Sequence, residues 1–223
     1  MARVIAIDGP SGSGKSSTSR RVGQALGFLH VDSGALYRIM TWQCLAQGVE
    51  TSDPAAVAAC AERVQVECRP ENGALAYYVD GEAPGARIRT PEINAHASPV
   101  ATVKAVRDRI TALQRGMTRY GDLVVEGRDI TTVVFPDSPA RFYLTASPEA
   151  RARRRQLEEV ATGVANQSAE AVKASLLARD AIDSTRAYAP LRKADGVLEI
   201  DSTQLTLDQV VETVLDALPA GWR

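Results

Sequence analysis

Eight residues near the start, Gly9-Pro10-Ser11-Gly12-Ser13-Gly14-Lys15-Ser16, constrain this chain more than any other stretch. They fit the pattern GxxxxGK[ST]. They stand between a short apolar run, Val4 to Ile7, and a stretch from Ser16 to Leu26 that reads as a helix. A strand handing over to a helix through a glycine-rich turn is the setting that this phosphate-binding loop requires. Its glycines let backbone N–H groups turn inward around phosphate oxygens. The positive end of the helix dipole favours the same anions. The pattern assigns Lys15 to the β- and γ-phosphates of ATP and the Ser16 hydroxyl to Mg²⁺, with Ser17 following on the first turn. Asp8, just before the loop, has three open roles: metal shell, attacking group, or cap on the turn.

The rest of the chain alternates strand and helix. Phe28 to Val31, Leu123 to Val125, Phe142 to Leu144 and Val197 to Ile200 are short apolar runs that read as buried strands. Ala35 to Gln47 and Leu207 to Leu218 read as helices. The expectation is an α/β fold with a parallel sheet and helices on both faces. Two stretches break the rhythm. Val64 to Arg89 carries short runs divided by Glu71-Asn72-Gly73 and Asp80-Gly81, which predicts a small antiparallel meander. Arg151 to Gln167 reads as an arginine-rich helix running into a polar loop, a mobile flap.

Composition excludes several classes of function. Hydrophobic residues make up 45% and charged residues 24%, values of a globular chain with a packed core. A net charge of −1 argues against bulk binding to nucleic acid. No apolar run approaches the ~20 residues of a membrane span, and the first ten residues lack a signal peptide's apolar stretch. The three cysteines, Cys44, Cys60 and Cys68, read as free thiols, so the expected setting is the cytoplasm. His30 and His96 read as structural. The basic residues are lopsided, with 22 arginines and 4 lysines. Arginine's planar fork suits phosphate and carboxylate, so some of this excess points to anion binding.

The phosphate-binding loop alone leaves open a GTPase switch, a motor ATPase or a small-molecule kinase. No guanine-reading NKxD motif is present. Leu123-Val124-Val125-Glu126 is the nearest candidate for a metal-facing strand, and it continues as Gly127-Arg128-Asp129. Further segments narrow the choice: Asp32-Ser33-Gly34-Ala35-Leu36-Tyr37-Arg38, Ile88-Arg89-Thr90-Pro91-Glu92, Arg179-Asp180 with Asp183 and Arg186, and Ala189-Pro190-Leu191. In this order, with the loop, they resemble the bacterial cytidylate kinase family, from Ile5 to about Leu218. The rivals are a kinase with a shikimate- or UMP-type acceptor and a regulatory protein that uses ATP binding as a switch.

The resemblance implies a five-stranded parallel core over 1–62 and 90–223, a monophosphate-binding insertion over 63–89, and a lid near 151–167. It implies ATP and CMP or dCMP as substrates, with Gly9, Pro10, Ser11, Gly12, Ser13, Gly14, Lys15, Ser16 and Ser17 around ATP. It places Ser33, Tyr37, Arg38, Ser98, Arg107, Arg128, Asp129, Arg179, Asp183 and Arg186 around the monophosphate. A carboxylate at Asp129 would accept from the cytosine amino group and repel a uracil oxygen. Arg151, Arg154 and Arg155 share a helix face, which the lid resemblance turns toward the transferred phosphoryl group. Lys15, Arg128 and these three are the expected catalytic residues. No nucleic-acid or membrane partner is expected, and the chain is expected to act as a monomer. Two positions depart from the family: Glu126 stands where Asp is usual, and Thr131 where Gly is usual.

Overall fold

The computed structural model describes residues 2–161 and 168–223; the expected lid loop, 162–167, lies outside them. Strand β1, Val4–Asp8, is buried along its whole length. It pairs in parallel with β5, Leu123–Gly127, on one side and β6, Ala140–Thr145, on the other. β5 pairs in parallel with β2, Leu29–Asp32, and β6 with β7, Leu198–Asp201. The parallel core therefore runs β2-β5-β1-β6-β7, the five strands that the apolar runs predict.

Alternation within these runs feeds two cores. Val4, Ala6, Leu123 and Val125 join one face, with Leu36, Ile39 and Met40 of helix α2, Ser33–Ala46. Ile5, Ile7, Val124 and Phe142 join the other. There they meet Val22 of α1, Lys15–Leu26, and Val210, Val211 and Val214 of α8, Leu207–Asp216. Strands covered on both faces show continuous apolar runs rather than strict alternation, which is why they are legible by run length.

The expected meander resolves as one hairpin, and the sheet has seven strands, not five. β3, Val66–Glu71, and β4, Ala74–Val79, pair antiparallel around Asn72-Gly73, both at positive φ. A two-residue turn of that handedness matches the twist of the flanking strands. β4 then joins β2 in parallel through the single pair His30↔Ala74. Beyond Asp80-Gly81 the chain makes one bridge, Val79↔Glu82, and enters a 3₁₀ turn, Gly85–Arg89.

Five further helices complete the layers: α3 Pro54–Arg63, α4 Pro91–Thr102, α5 Lys104–Gly116, α6 Pro148–Ala161 and α7 Ala169–Thr185. Buried Ala152, Val172 and Leu176 pack α6 to α7 as a small separate cluster. The turns leaving β1, β2 and β5 all lie on one edge of the sheet, where ligands of open α/β sheets bind.

Gly9 shows how tightly that edge is built. Its φ is +149°, and a Cβ there would lie 1.9 Å from the Leu144 carbonyl oxygen of β6. Gly9→Ala must move backbone, so we expect a loss of at least about 2 kcal/mol in urea unfolding, on the scale of incompatible-backbone substitutions.

Candidate active site

The loop between β1 and α1 holds Lys15 as a buried cation. Its Nζ donates to the Pro10 carbonyl at 2.7 Å. Burial, and then the positive charge of Arg128, lower its pKa to about 7; Glu126, Asp8 and Asp180 pull it back upward. Ser16 and Ser17 are exposed on the first turn of α1. The Ser16 hydroxyl donates a short bond to Glu126 Oε1. Glu126 is itself buried at the end of β5. Burial alone would raise its pKa, yet His30, Lys15 and Ser16 together hold it down at about 2. His30 Nε2 stands 3.9 Å from Glu126 Oε1, too far for a hydrogen bond, so His30 acts there through space. His30 is thus buried as expected, beside a site carboxylate.

Asp8 takes none of its three open roles and instead braces the turn that follows β5. Its carboxylate accepts from Ile130 N at 2.9 Å, Thr131 N at 2.7 Å and the Thr131 hydroxyl at 2.7 Å. It therefore anchors the start of a π-turn, Ile130–Val134, that follows β5. Thr131 is fully buried and supplies a donor that glycine lacks. Burial raises the Asp8 pKa to about 6; Thr131 and Ile130 lower it, and Asp129 adds to the rise.

The second half of the site is built from arginines and acids. Asp32 caps α2 by accepting from Ala35 N at 3.0 Å, and it also pairs with Arg89 at 3.1 Å. The cap sets Ser33, Tyr37 and Arg38 along the first turns of α2. Gly127 is required opposite: a Cβ there would lie 2.6 Å from Ser33 Oγ. Arg107 of α5 is buried and donates to Asp129 Oδ2 at 2.5 Å and to the Ala101 carbonyl at 2.9 Å. Its guanidinium lies 5.2 Å from the Tyr37 ring centre. Ser98 is buried on α4 nearby in the chain. Asp183 bridges two cations, accepting from Arg128 Nε at 3.0 Å and Arg186 Nη1 at 3.3 Å. Arg186 also donates to the Ala189 carbonyl at 2.8 and 2.6 Å.

Arg38, Arg128, Arg155 and Arg179 lie within electrostatic reach of one another. Burial and these like charges lower the pKa of Arg179 to about 10 and depress that of Arg38. The Nε atoms of Arg38 and Arg179 are buried without a hydrogen-bond partner among the described residues. Guanidinium groups that repel one another, with donors to spare, form a seat for an anion.

The three lid arginines take separate partners. Arg151 pairs with Asp180 and donates to the Ser11 carbonyl at 3.1 Å. Arg154 donates to Ser202 Oγ at 2.9 Å and Ser202 O at 2.6 Å, beside the Ser13 carbonyl. Arg155 pairs with Glu159 at 3.0 Å and faces the arginine cluster. One helix face thus serves three places. Sequence reasoning missed Asp180 and Ser202 as partners, since both are distant in the chain from the arginines they hold. The string Arg179-Asp180 was visible, but its link to residue 151 needs the α6–α7 packing.

A phosphate-binding loop facing an arginine cluster at the carboxyl edge of a parallel sheet defines a P-loop phosphotransferase. Comparison with known proteins narrows the class. The family model described as cytidylate kinase matches residues 5–220. A cytidylate kinase of Streptomyces avermitilis is 46% identical over 216 residues, covering 96% of this chain and 91% of that protein. One from Shouchella clausii is 41% identical over 212 residues, covering 95% and 94%. The chain belongs to the cytidylate kinase family, and it is a kinase, a nucleotide-binding transferase.

Asp8 and Glu126 bend the pH dependence of stability in opposite directions. Asp8 binds its proton more tightly folded than unfolded, so its contribution is full below about 3.9 and lost as pH rises through about 6. Glu126 contributes above about 4.3 and loses that as pH falls toward 2. In urea unfolding between pH 4 and 7, Asp8→Asn should remove a pH-dependent component on the order of 3 kcal/mol. An unchanged pH profile would show that Asp8 is not the titrating group.

Proposed function

We propose that these residues carry the in-line transfer of the γ-phosphoryl group of ATP to a phosphate oxygen of CMP or dCMP, giving ADP and CDP or dCDP. The observation that supports the residue assignment is the gathering of Arg38, Arg128, Arg155 and Arg179, of which Arg128 also acts on the buried Lys15. Two anions must approach each other in this reaction, and only a concentration of fixed cations offsets their repulsion. Gly9 to Ser17 wrap the triphosphate, and Lys15 holds its β- and γ-phosphates. Arg38, Arg128 and Arg186 fork onto the monophosphate, while Arg179 and Asp183 face its ribose. The accepting oxygen is already largely deprotonated at neutral pH, since the second phosphate pKa is about 6. No general base is therefore required, and catalysis is positioning plus charge neutralisation.

Asp129 reads the base. Arg107 fixes the direction of its carboxylate by donating at 2.5 Å. The other oxygen then accepts from the cytosine amino group, and Arg107 and Ser98 donate to O2 and N3. Uracil presents an acceptor where cytosine presents a donor, so Asp129 disfavours it.

The donor set fits a hard divalent cation. Ser16 offers a hydroxyl oxygen and Glu126 an ionised carboxylate in direct contact with it. Among the described residues no cluster of three His, Cys, Asp or Glu could hold a metal alone. That suits Mg²⁺, which takes one or two protein oxygens and completes its shell with phosphates and water. Bound there, Mg²⁺ supplies neutralising charge on the phosphates. The reading divides the chain into a kinase core over 1–62 and 90–223, a monophosphate-binding unit over 63–89 and a lid over 151–167. No helix among the described residues is long and apolar enough to cross a membrane. We place the protein in the cytoplasm, as a monomer, with no nucleic-acid partner.

A panel of monophosphates assayed by ADP release tests the reading. CMP and dCMP should turn over far above the rate with water alone, and UMP more slowly. Asp129→Asn should narrow the CMP/UMP ratio of kcat/KM by roughly five- to 150-fold, the span of 1–3 kcal/mol of base discrimination. Equal rates with CMP and water would end the kinase assignment, and an unchanged ratio would end the role of Asp129.

A further inference from the structure

Asp180 has no role in the reaction described above, yet it contacts Ser11 of the phosphate-binding loop and Arg151 of α6. It lies on α7 between Arg179 and Ala181, and its side chain is 16% exposed. Its Oδ1 accepts the backbone N–H of Ser11, inside the phosphate-binding loop, at 3.0 Å. Its Oδ2 is paired with Arg151 Nη1, and that same nitrogen donates to the Ser11 carbonyl at 3.1 Å. The backbone of α6 stands against the loop here: a Cβ on Gly12 would lie 3.1 Å from the Arg151 carbonyl oxygen. Asp180 also favours the charged forms of Lys15 and Arg128 through space.

These groups surround the reacting phosphates in the reading above: a loop amide and Lys15 on the triphosphate, Arg128 on the monophosphate, and Arg151, which the family resemblance turns toward the transferred phosphoryl group. One N–H makes a full-strength bond to one acceptor at a time. A carboxylate oxygen and a phosphoryl oxygen therefore exclude each other at Ser11. Arg151, while neutralised by Asp180, adds little positive charge elsewhere. We propose that Asp180 is a positioning residue that competes with the transferred phosphoryl group for the Ser11 amide and for Arg151. Arg151 then turns to the phosphoryl group only after that group has displaced the carboxylate. The inference rests on the phosphotransfer role given to Arg151 above.

The arrangement has a kinetic meaning. ATP bound without an acceptor must displace a carboxylate to recruit the lid arginine, so transfer to water is held back. Removing the negative charge lifts that restraint. Asp180→Asn keeps an oxygen for the Ser11 N–H and deletes the charge that holds Arg151.

The test measures ATP dissociation constants and ADP release without CMP for wild type, Asp180→Asn, Arg151→Ala and the double variant. Asp180→Asn should bind ATP roughly fivefold tighter or more, and hydrolyse it in water faster by a similar factor, the lower range of intersite coupling. Arg151→Ala should lower kcat with CMP, and the double variant should show no faster hydrolysis than Arg151→Ala. Unchanged or weaker ATP binding by Asp180→Asn, with unchanged hydrolysis, overturns the proposal. So does a fall in Tm as its only effect, which would mark Asp180 as structural. Should Asp180→Asn fail to fold, Asp180→Ser takes its place with the same readouts. A wild-type kcat in Arg151→Ala would instead overturn the assignment of Arg151, and the role of Asp180 with it.

Discussion

Like charges in a confined cleft are the constraint around which this structure is arranged. Two unit charges 4 Å apart interact by about 4 kcal/mol at the dielectric typical of a protein surface. The carboxyl edge of the sheet nevertheless gathers Arg38, Arg128, Arg155 and Arg179, and Arg128 also acts on Lys15. Carboxylates are interleaved to make this tolerable. Asp183 lies between Arg128 and Arg186, Asp129 holds Arg107, and Glu126 faces Lys15. Arg38 and Arg179 retain buried Nε donors without partners among the described residues. Phosphates entering the cleft complete a pairing that the protein leaves unfinished.

Asp8 joins the two halves of that cleft. It closes β1, where the phosphate-binding loop begins, and its carboxylate collects three donors from the turn that presents Asp129. The loop and the turn that carries Asp129 thus share one buried group. The threonine at 131, unusual in the family pattern, contributes one of those donors and so reinforces the joint.

The parts of the fold written in local patterns could be read from the sequence. The five parallel strands announce themselves as apolar runs; β1 and β5 are buried along their whole length, whereas β7, expected to be buried, keeps only Ile200 inside. The β3–β4 turn announces itself through Asn72-Gly73. The helices α3 and α4 were not delimited, since their apolar residues are spread among alanines and, in α4, a proline at 99 sits inside the helix; nor was α5, although Val106, Ile110 and Leu113 mark an apolar face at helical spacing. In the site, contiguous motifs such as Asp32 to Arg38 and Arg128-Asp129 place Tyr37 beside Asp129 and Arg38 within electrostatic reach of Arg128. What the sequence could not disclose are partnerships across long separations. Arg151 with Asp180, and Arg154 with Ser202, depend on how α6 packs. Arg151, Arg154 and Arg155 stand on one helix, yet Arg151 bonds to α7, Arg154 to the turn after β7 and Arg155 to α6 itself.

The hairpin's attachment has a consequence for how this fold tolerates change. β4 meets the parallel sheet through one residue pair, His30↔Ala74. The register of β2 against β5 is set by four pairs of its own, from Leu29↔Leu123 to Asp32↔Glu126. Residues added or removed at the distal ends of β3 and β4 therefore shift no core strand by even one position, and a shift of one would invert every buried side chain. The hairpin's register is thus set apart from that of the core strands, while Leu75, Tyr77 and Val79 tie it to the same apolar core.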